Sequence, residues 1–179
     1  FGGKFYGMTS EGGANNAGVI FEWDPATITY TQKYEFKGLT IPFPFDGAYP
    51  YGSLTLAGGK FYGMTSEGGS YNKGIIFEWD PGTNTYTKKI DLGGINSGAA
   101  PHGSLTLAGG KFYGMTSERG ANDYGLIFEW DPATNTYTTK YSFDGVSGRY
   151  PQGSLTLYGG KLYGMAYQGG SSTAGVIFE

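Results

Sequence analysis

The sequence contains no cysteine and only one histidine, His102, in 179 residues. Without cysteine there are no disulfides, no thiolate nucleophiles and no cysteine metal sites. The redox compartment stays open, because a large enough β core needs no covalent staples. A lone histidine, in a turn ahead of an SLTL segment, offers no Ser-His-Asp or Cys-His constellation and no His/Cys zinc site. No Gly-x-Gly-x-x-Gly element leads a strand into a helix. No cofactor and no transition metal are therefore expected, although backbone carbonyls and scattered Asp or Asn could hold calcium without a sequence signature.

Charge is also sparse. The net charge is −3 and no Lys/Arg run offers a phosphate footprint, which argues against a nucleic-acid partner. No apolar stretch approaches the roughly 20 residues that span a bilayer as a helix. The chain opens on Phe1 and Gly2 inside a repeat, with neither an initiating methionine nor a signal peptide, so a processed or excerpted chain is expected.

What the sequence has in quantity is glycine, 34 residues, nearly three times the usual share of roughly 7%. With 16 Tyr and 12 Phe, this composition describes short strands joined by tight turns. It does not describe disorder, which lacks aromatics. The segment GGKFYGMTSEGG at Gly2–Gly13 recurs at Gly58–Gly69, again with one change at Gly109–Gly120, and loosely at Gly159–Gly170. FEWDP at Phe21–Pro25 recurs at Phe77–Pro81 and Phe128–Pro132. The start-to-start spacings are 56, 51 and 50 residues.

Each unit reads as four strands. In the second copy these are Ser53–Leu56, Lys60–Thr65, Gly74–Asp80 and Thr85–Leu92. An AGG turn and a DPGTN link supply the residues that tight turns require. In the fourth strand Tyr137, Thr139, Tyr141 and Phe143 alternate with Thr136, Thr138, Lys140 and Ser142, which predicts two faces. Four-stranded meanders repeating about every 50 residues predict an all-β, β-propeller-like array with one meander per blade. Solenoid repeats are usually shorter, and a β-sandwich would not reuse its strands nearly verbatim. The repeats divide at about 1–52, 53–103, 104–153 and 154–179. Three and a half units cannot close a ring alone. An excerpt of a longer array is expected, with blade edges open to further chain or to another molecule.

Repeated positions read first as scaffold. Trp23, Trp79 and Trp130, each two residues after a Phe, are expected to pack between blades. Met8, Met64, Met115 and Met165 are expected to fill gaps. Gly7, Gly63, Gly114 and Gly164 interrupt the second strand where a neighbouring aromatic should approach. Glu22, Glu78 and Glu129 recur with Lys4, Lys60 and Lys111, which predicts a structural charge network. Glycosidase chemistry needs one asymmetric carboxylate pair, and no pair stands out.

A meander puts its connections on alternate ends. The Ala57–Gly59 and Asp80–Asn84 links share a rim of short turns. The second-to-third loops and the inter-repeat loops Lys37–Gly52, Gly93–Gly103 and Asp144–Gly153 share the other. Those long loops vary most, and loops on a rigid scaffold are where recognition sits. The candidate ligand contacts are Glu11, Asn16, Glu67, Tyr71, Asn72, Glu118, Asn122 and Tyr124, which pair acceptors with aromatic faces.

The stretch Asp46–Gly69 followed by Gly74–Thr87 resembles the GloVer (Gloeo-Verruco) tandem repeat of bacterial surface proteins. The chain departs from that pattern at Ser97-Gly98, at Ser147-Gly148 and at Ala166-Tyr167-Gln168. The resemblance implies a propeller-like array in an exported, extracellular or cell-surface protein, often anchored by a separate C-terminal segment, with no catalytic residues to carry over. The expected function is a noncatalytic scaffold, adhesion or protein-interaction module. A lectin-like glycan binder is the alternative, and a polysaccharide-active enzyme using rim carboxylates the weaker one.

Overall fold

The turns explain where the strands stop. The computed structural model describes residues 1–38 and 46–179, so the middle of the first inter-repeat loop, 39–45, falls outside the described residues. At the end of the third strand Asp80 Oδ1 accepts the backbone N–H of Gly82 (2.8 Å) and Thr83 (3.3 Å), closing an Asx turn. Asn84 then takes a left-handed φ of 52°, and its Oδ1 accepts the indole N–H of Trp79 at 3.1 Å. Asn135 does the same for Trp130, with φ 54° and a 3.0 Å bond.

The first repeat has Ile28 at this position, also at φ 54°. A β-branched residue is strained there, and it offers no oxygen to Trp23. Ile28→Asn is therefore expected to raise stability by about 1–2 kcal/mol, read as a higher urea midpoint. Asn84→Ile should lower it. No gain from Ile28→Asn would mean that the turn relaxes at no cost.

Four antiparallel sheets result. The first contains β1 (Phe5–Thr9), β2 (Val19–Asp24) and β3 (Thr29–Glu35). The second contains β4 (Thr55–Ala57), β5 (Lys60–Thr65), β6 (Ile75–Asp80) and β7 (Thr85–Asp91). The third repeats it as β8 (Thr106–Ala108), β9 (Lys111–Thr116), β10 (Leu126–Asp131) and β11 (Thr136–Ser142). The fourth has β12 (Thr156–Tyr158), β13 (Lys161–Ala166) and β14 (Val176–Phe178). The chain is an all-β, propeller-like array of meander blades, and its sheets do not close into a ring.

Alternation along each strand divides the blade into two faces. Phe61, Ile75, Phe77 and Trp79 face the preceding blade, where they join Ile20 and Phe36 in one buried cluster. Tyr62, Met64 and Ile76 face the following blade and join Phe112, Phe128 and Trp130 in a second. Trp79 meets Tyr6 of the first repeat at 5.6 Å between ring centroids, and Trp130 meets Tyr62 of the second at 5.8 Å. The expected inter-blade role of Trp79 and Trp130 is what the structure shows. Met64 is buried in the second of these seams and Met8 packs against the first, Met115 is buried elsewhere in the third blade, and Met165 is 62% exposed.

The glycine of the second strand makes room for the Phe opposite. A Cβ on Gly63 would lie 2.5 Å from Cζ of Phe77, and one on Gly114 would lie 2.4 Å from Cζ of Phe128. The register pairs these residues directly.

The fourth strand departs from the expected two-face alternation. Its register shifts between Ile127 and Phe128, where Phe128 pairs with Thr139 and Ile127 with Tyr141. Lys140 is the extra residue of a β-bulge, and such a bulge turns the remainder of a strand over. Tyr137 consequently stacks on Phe128 of its own sheet, while Phe143 meets Phe178 of the next. The same shift in the first repeat turns Tyr34 outward to stack on Tyr86 of the second, 4.0 Å away.

The short first strands adjoin one another along the axis of the array. Ser53 N–H donates to Ser104 Oγ (2.7 Å), and Ser104 N–H to Ser154 Oγ (2.8 Å). Thr55 Oγ1 donates to the Leu105 carbonyl (2.6 Å), and Thr106 Oγ1 to that of Leu155 (2.5 Å). This ladder sets one blade beside the next and places the start of each inner strand on the long-loop rim.

Candidate functional site

The repeated carboxylates are consumed by structure. Lys60 Nζ lies 2.8 Å from Glu78, Tyr62 donates its hydroxyl to the same carboxylate at 2.9 Å, and Lys89 approaches at 3.4 Å. Glu129 has the same set in Lys111 (2.8 Å), Tyr113 (2.7 Å) and the bulged Lys140 (3.5 Å). Glu22 has Lys4 at 2.7 Å, Tyr6 at 2.8 Å and Lys33 at 3.8 Å. The bulge of the fourth strand thus has a second consequence, since it delivers the outer lysine.

Hydrogen bonds from Lys111 and then Tyr113 hold the Glu129 carboxyl down at about 2. Burial, then the hydrogen bond to the carboxylate, pushes the hydroxyls of Tyr6 and Tyr62 up to about 12. At neutral pH the glutamate is ionised and the tyrosine protonated. Neither titrates near the range a general acid or base needs.

His102 lies beside Tyr51 at the inner edge of the long-loop rim, with ring centroids 5.1 Å apart. Burial lowers its pKa and the charge of Glu118 acts against that shift. It is mostly neutral at pH 7.

The long-loop rim is built by lacing three segments together at each junction. The inter-repeat loop first donates to the second-to-third loop behind it: Tyr49 N–H to the Ala17 carbonyl (3.0 Å), Ala100 to Lys73 (3.0 Å) and Tyr150 to Tyr124 (2.9 Å). It then bridges the loop ahead, pairing Ala48 with Glu67, Ala99 with Glu118 and Arg149 with Gln168. Each junction therefore presents side chains from two repeats over a backbone whose hydrogen bonds are already made.

The eight expected contacts occupy this rim in different ways. Asn16 and Asn72 are turn formers: both sit at φ 50°, and their side-chain oxygens accept the N–H of Gly12 and Gly68 at 3.0 Å. Asn122 does not occupy the equivalent place. That place belongs to Asp123, at φ 63°, which accepts the Arg119 N–H at 3.1 Å. Asn122 instead donates to the Phe143 carbonyl at 3.1 Å. Glu11 is exposed, while Glu67 is half-buried in its bridge.

Tyr71 lies over Gly93 and Gly94 with 57% of its surface exposed. Tyr124 is half-buried, with its ring on Gly145 and edge-on to Tyr150 at 5.8 Å. Glu118 alone enters a cleft, where Lys73 holds it at 3.0 Å.

That cleft, about 500 Å³, opens between the second and third repeats and is lined by Lys73, Ile95, Asn96, Glu118, Arg119 and Asp123. Arg119 Nη1 donates to the Gly93 carbonyl at 2.5 Å, which ties the wall to the inter-repeat loop. Ile95, at the lip, is 96% exposed. The cleft offers both charge signs, amide groups and one apolar contact, a set suited to holding a polar ligand. Apart from Glu118, sequence reasoning missed these residues. The signal available was register: Arg119 and Asp123 replace the Gly and Asn that stand there in the earlier repeats.

Solved structures share the architecture. TolB from Acinetobacter baumannii is 14% identical over 98% of this chain and 40% of its own length, with a TM-score of 0.55. The tricorn protease is 12% identical over 99% of this chain and 21% of its own, with a TM-score of 0.39. A puromycin hydrolase S511A mutant complexed with PGG is 18% identical over 83% and 22%, with a TM-score of 0.42. The likeness to TolB supports the fold, and the other two carry no weight. This chain spans less than half the length of any of the three. No curated protein matches the sequence. The Gloeobacter/Verrucomicrobia repeat matches residues 1–178, and the chain belongs to that family.

Proposed function

We propose that this chain is a noncatalytic interaction module, a scaffold or adhesion element of an exported or cell-surface protein, and that it binds through the long-loop rim. The observation that carries the reading is the division of labour within the repeat. The recurring carboxylates, lysines and tyrosines are locked into the blades, while the side chains that differ between repeats gather on one rim around an open cleft. The exported setting is drawn from the resemblance to bacterial surface repeats.

A glycan-binding role is the second reading. It is favoured by Tyr71, which holds an exposed aromatic face on a backbone platform beside amide and charged groups. Either partner would meet a preformed surface, with little ordering left to do on binding.

The test measures binding to bacterial surface extracts and to a glycan array with two variants. Tyr71→Ala/Glu118→Gln alters the long-loop rim. Thr83→Lys/Thr134→Lys alters the short-turn rim. Binding of whatever is captured should fall at least tenfold in the first and stay within twofold in the second. Exposed substitutions of this kind usually shift stability by less than about 0.5 kcal/mol each, so both should fold normally. Loss confined to the short-turn variant would overturn the assignment of the rim.

A further inference from the structure

The junction between the third and fourth repeats differs from the other two in charge and in aromatic content. Where the first two inter-repeat loops place Ala48 and Ala99, the third places Arg149. Where they bridge to Glu67 and Glu118, the third bridges to Gln168. One change adds a positive charge and the other removes a negative one, so Arg149 stands without the carboxylate that faces this position in the other two junctions. Tyr124 stands where the earlier repeats have Ala17 and Lys73, an equivalence fixed by the shared backbone bond to the following loop.

Arg149 is held but not neutralised. Its guanidinium lies over the rings of Tyr124 and Tyr150, 5.8 and 5.7 Å from their centroids. Its Nε is buried with no hydrogen-bond partner, and among the described residues no carboxylate lies within ion-pair distance. Buried polar groups without a partner are rare and each calls for an explanation. The two tyrosines flank the guanidinium, whose fork has the geometry that matches a carboxylate. Tyr167, which precedes Gln168 and replaces the buried Ser66 and Ser117, presents a ring that is mostly exposed, and its backbone N–H reaches the Tyr150 carbonyl at 3.4 Å.

We propose that this junction is a binding site for an acidic sugar, a uronic acid residue of a polysaccharide. Arg149 takes the carboxylate, Gln168 takes a hydroxyl, and Tyr167 covers the apolar face of the ring. The assignment rests on the glycan reading of the long-loop rim and narrows it to one junction and one ligand class. The Ala48 junction has no cation at these positions, and at the Ala99 junction Lys73 is paired with the retained Glu118, so neither binds the same group.

The test is titration calorimetry with an oligoglucuronate, the same oligosaccharide after reduction of its carboxyls, and inorganic sulfate. Arg149→Ala installs the residue that two other junctions carry, and Gln168→Glu restores the carboxylate of those junctions, so both variants should fold with unchanged thermal midpoints. The oligoglucuronate should bind at least tenfold more tightly than its reduced form, and either substitution should abolish that difference. Sulfate should bind much more weakly than the oligosaccharide.

Equal binding of the acidic and reduced sugars, or affinity that survives both substitutions, would overturn the acidic-sugar site while leaving the rim free to bind neutral glycans. Sulfate binding as tightly as the oligosaccharide would show a bare anion site and overturn the sugar assignment. Failure of all three probes would overturn it too, and the extract and array measurements would then judge the rim by themselves.

Discussion

Trp79→Ala should lower the stability of the domain by about 3–5 kcal/mol, read from the urea or thermal midpoint with purified protein. The side chain is completely buried. It lies 5.7 Å from Phe61 on its own sheet and 5.6 Å from Tyr6 of the first repeat, so truncation opens a cavity in the seam between two blades. Its indole N–H also holds Asn84 in the turn, and the left-handed turn loses that anchor. Trp130→Ala should cost a comparable amount for the same reasons.

Trp23→Ala is the internal control. Its side chain is half-buried, so in a protein of these 179 residues its cost should be clearly smaller. Equal effects at all three positions would mean that the tryptophans stabilise blades one at a time, without a role between them.

Much of this could be read from the sequence because the repeat aligns its own copies. The strand boundaries at Lys60–Thr65 came through intact, and the Gly63–Phe77 contact followed from a glycine recurring opposite a recurring aromatic. The fourth strand was misread for a physical reason. Tyr137, Thr139, Tyr141 and Phe143 do alternate, but one inserted residue reverses which face Tyr141 and Phe143 occupy. Nothing in a run of Thr, Lys and Tyr distinguishes a bulge from a straight strand.

The rim was legible in outline and not in its members. Asn72 looks like a ligand group by composition, yet the left-handed turn claims its oxygen. Arg149 carries no local motif at all. It aligns with Ala48 and Ala99 ahead of the recurring Pro, but its bridge to Gln168 and its place over Tyr124 and Tyr150 are visible only in three dimensions.

In a protein of these 179 residues Gly103→Ala should be among the most damaging single-methyl additions, whereas Gly153→Ala should be close to neutral. Both glycines precede Ser-Leu-Thr-Leu, and by sequence they are the same position. A Cβ on Gly103 would lie 2.0 Å from the backbone oxygen of Gly153, and one on Gly52 would lie 2.3 Å from that of Gly103. No described atom comes within 4 Å of a Cβ on Gly153. At Gly63 the obstacle is the tip of a side-chain ring. At Gly103 it is main chain, tied in place by the Ser104–Ser154 and Thr106–Leu155 hydrogen bonds. Relief requires the inner strands to move apart, which breaks that ladder and loosens the seam between the third and fourth repeats, where Phe143 meets Phe178. Overpacking of this kind costs typically about 1–3 kcal/mol and occasionally more, and the rigid obstacle argues for the upper part of that range. Hydrogen exchange adds a spatial readout: amides of β8 and β12 should lose protection in Gly103→Ala while those of β2 and β3 keep theirs. A Gly103→Ala protein as stable as the parent, or a Gly153→Ala protein equally impaired, would show that backbone contact between inner strands does not set the spacing of the blades.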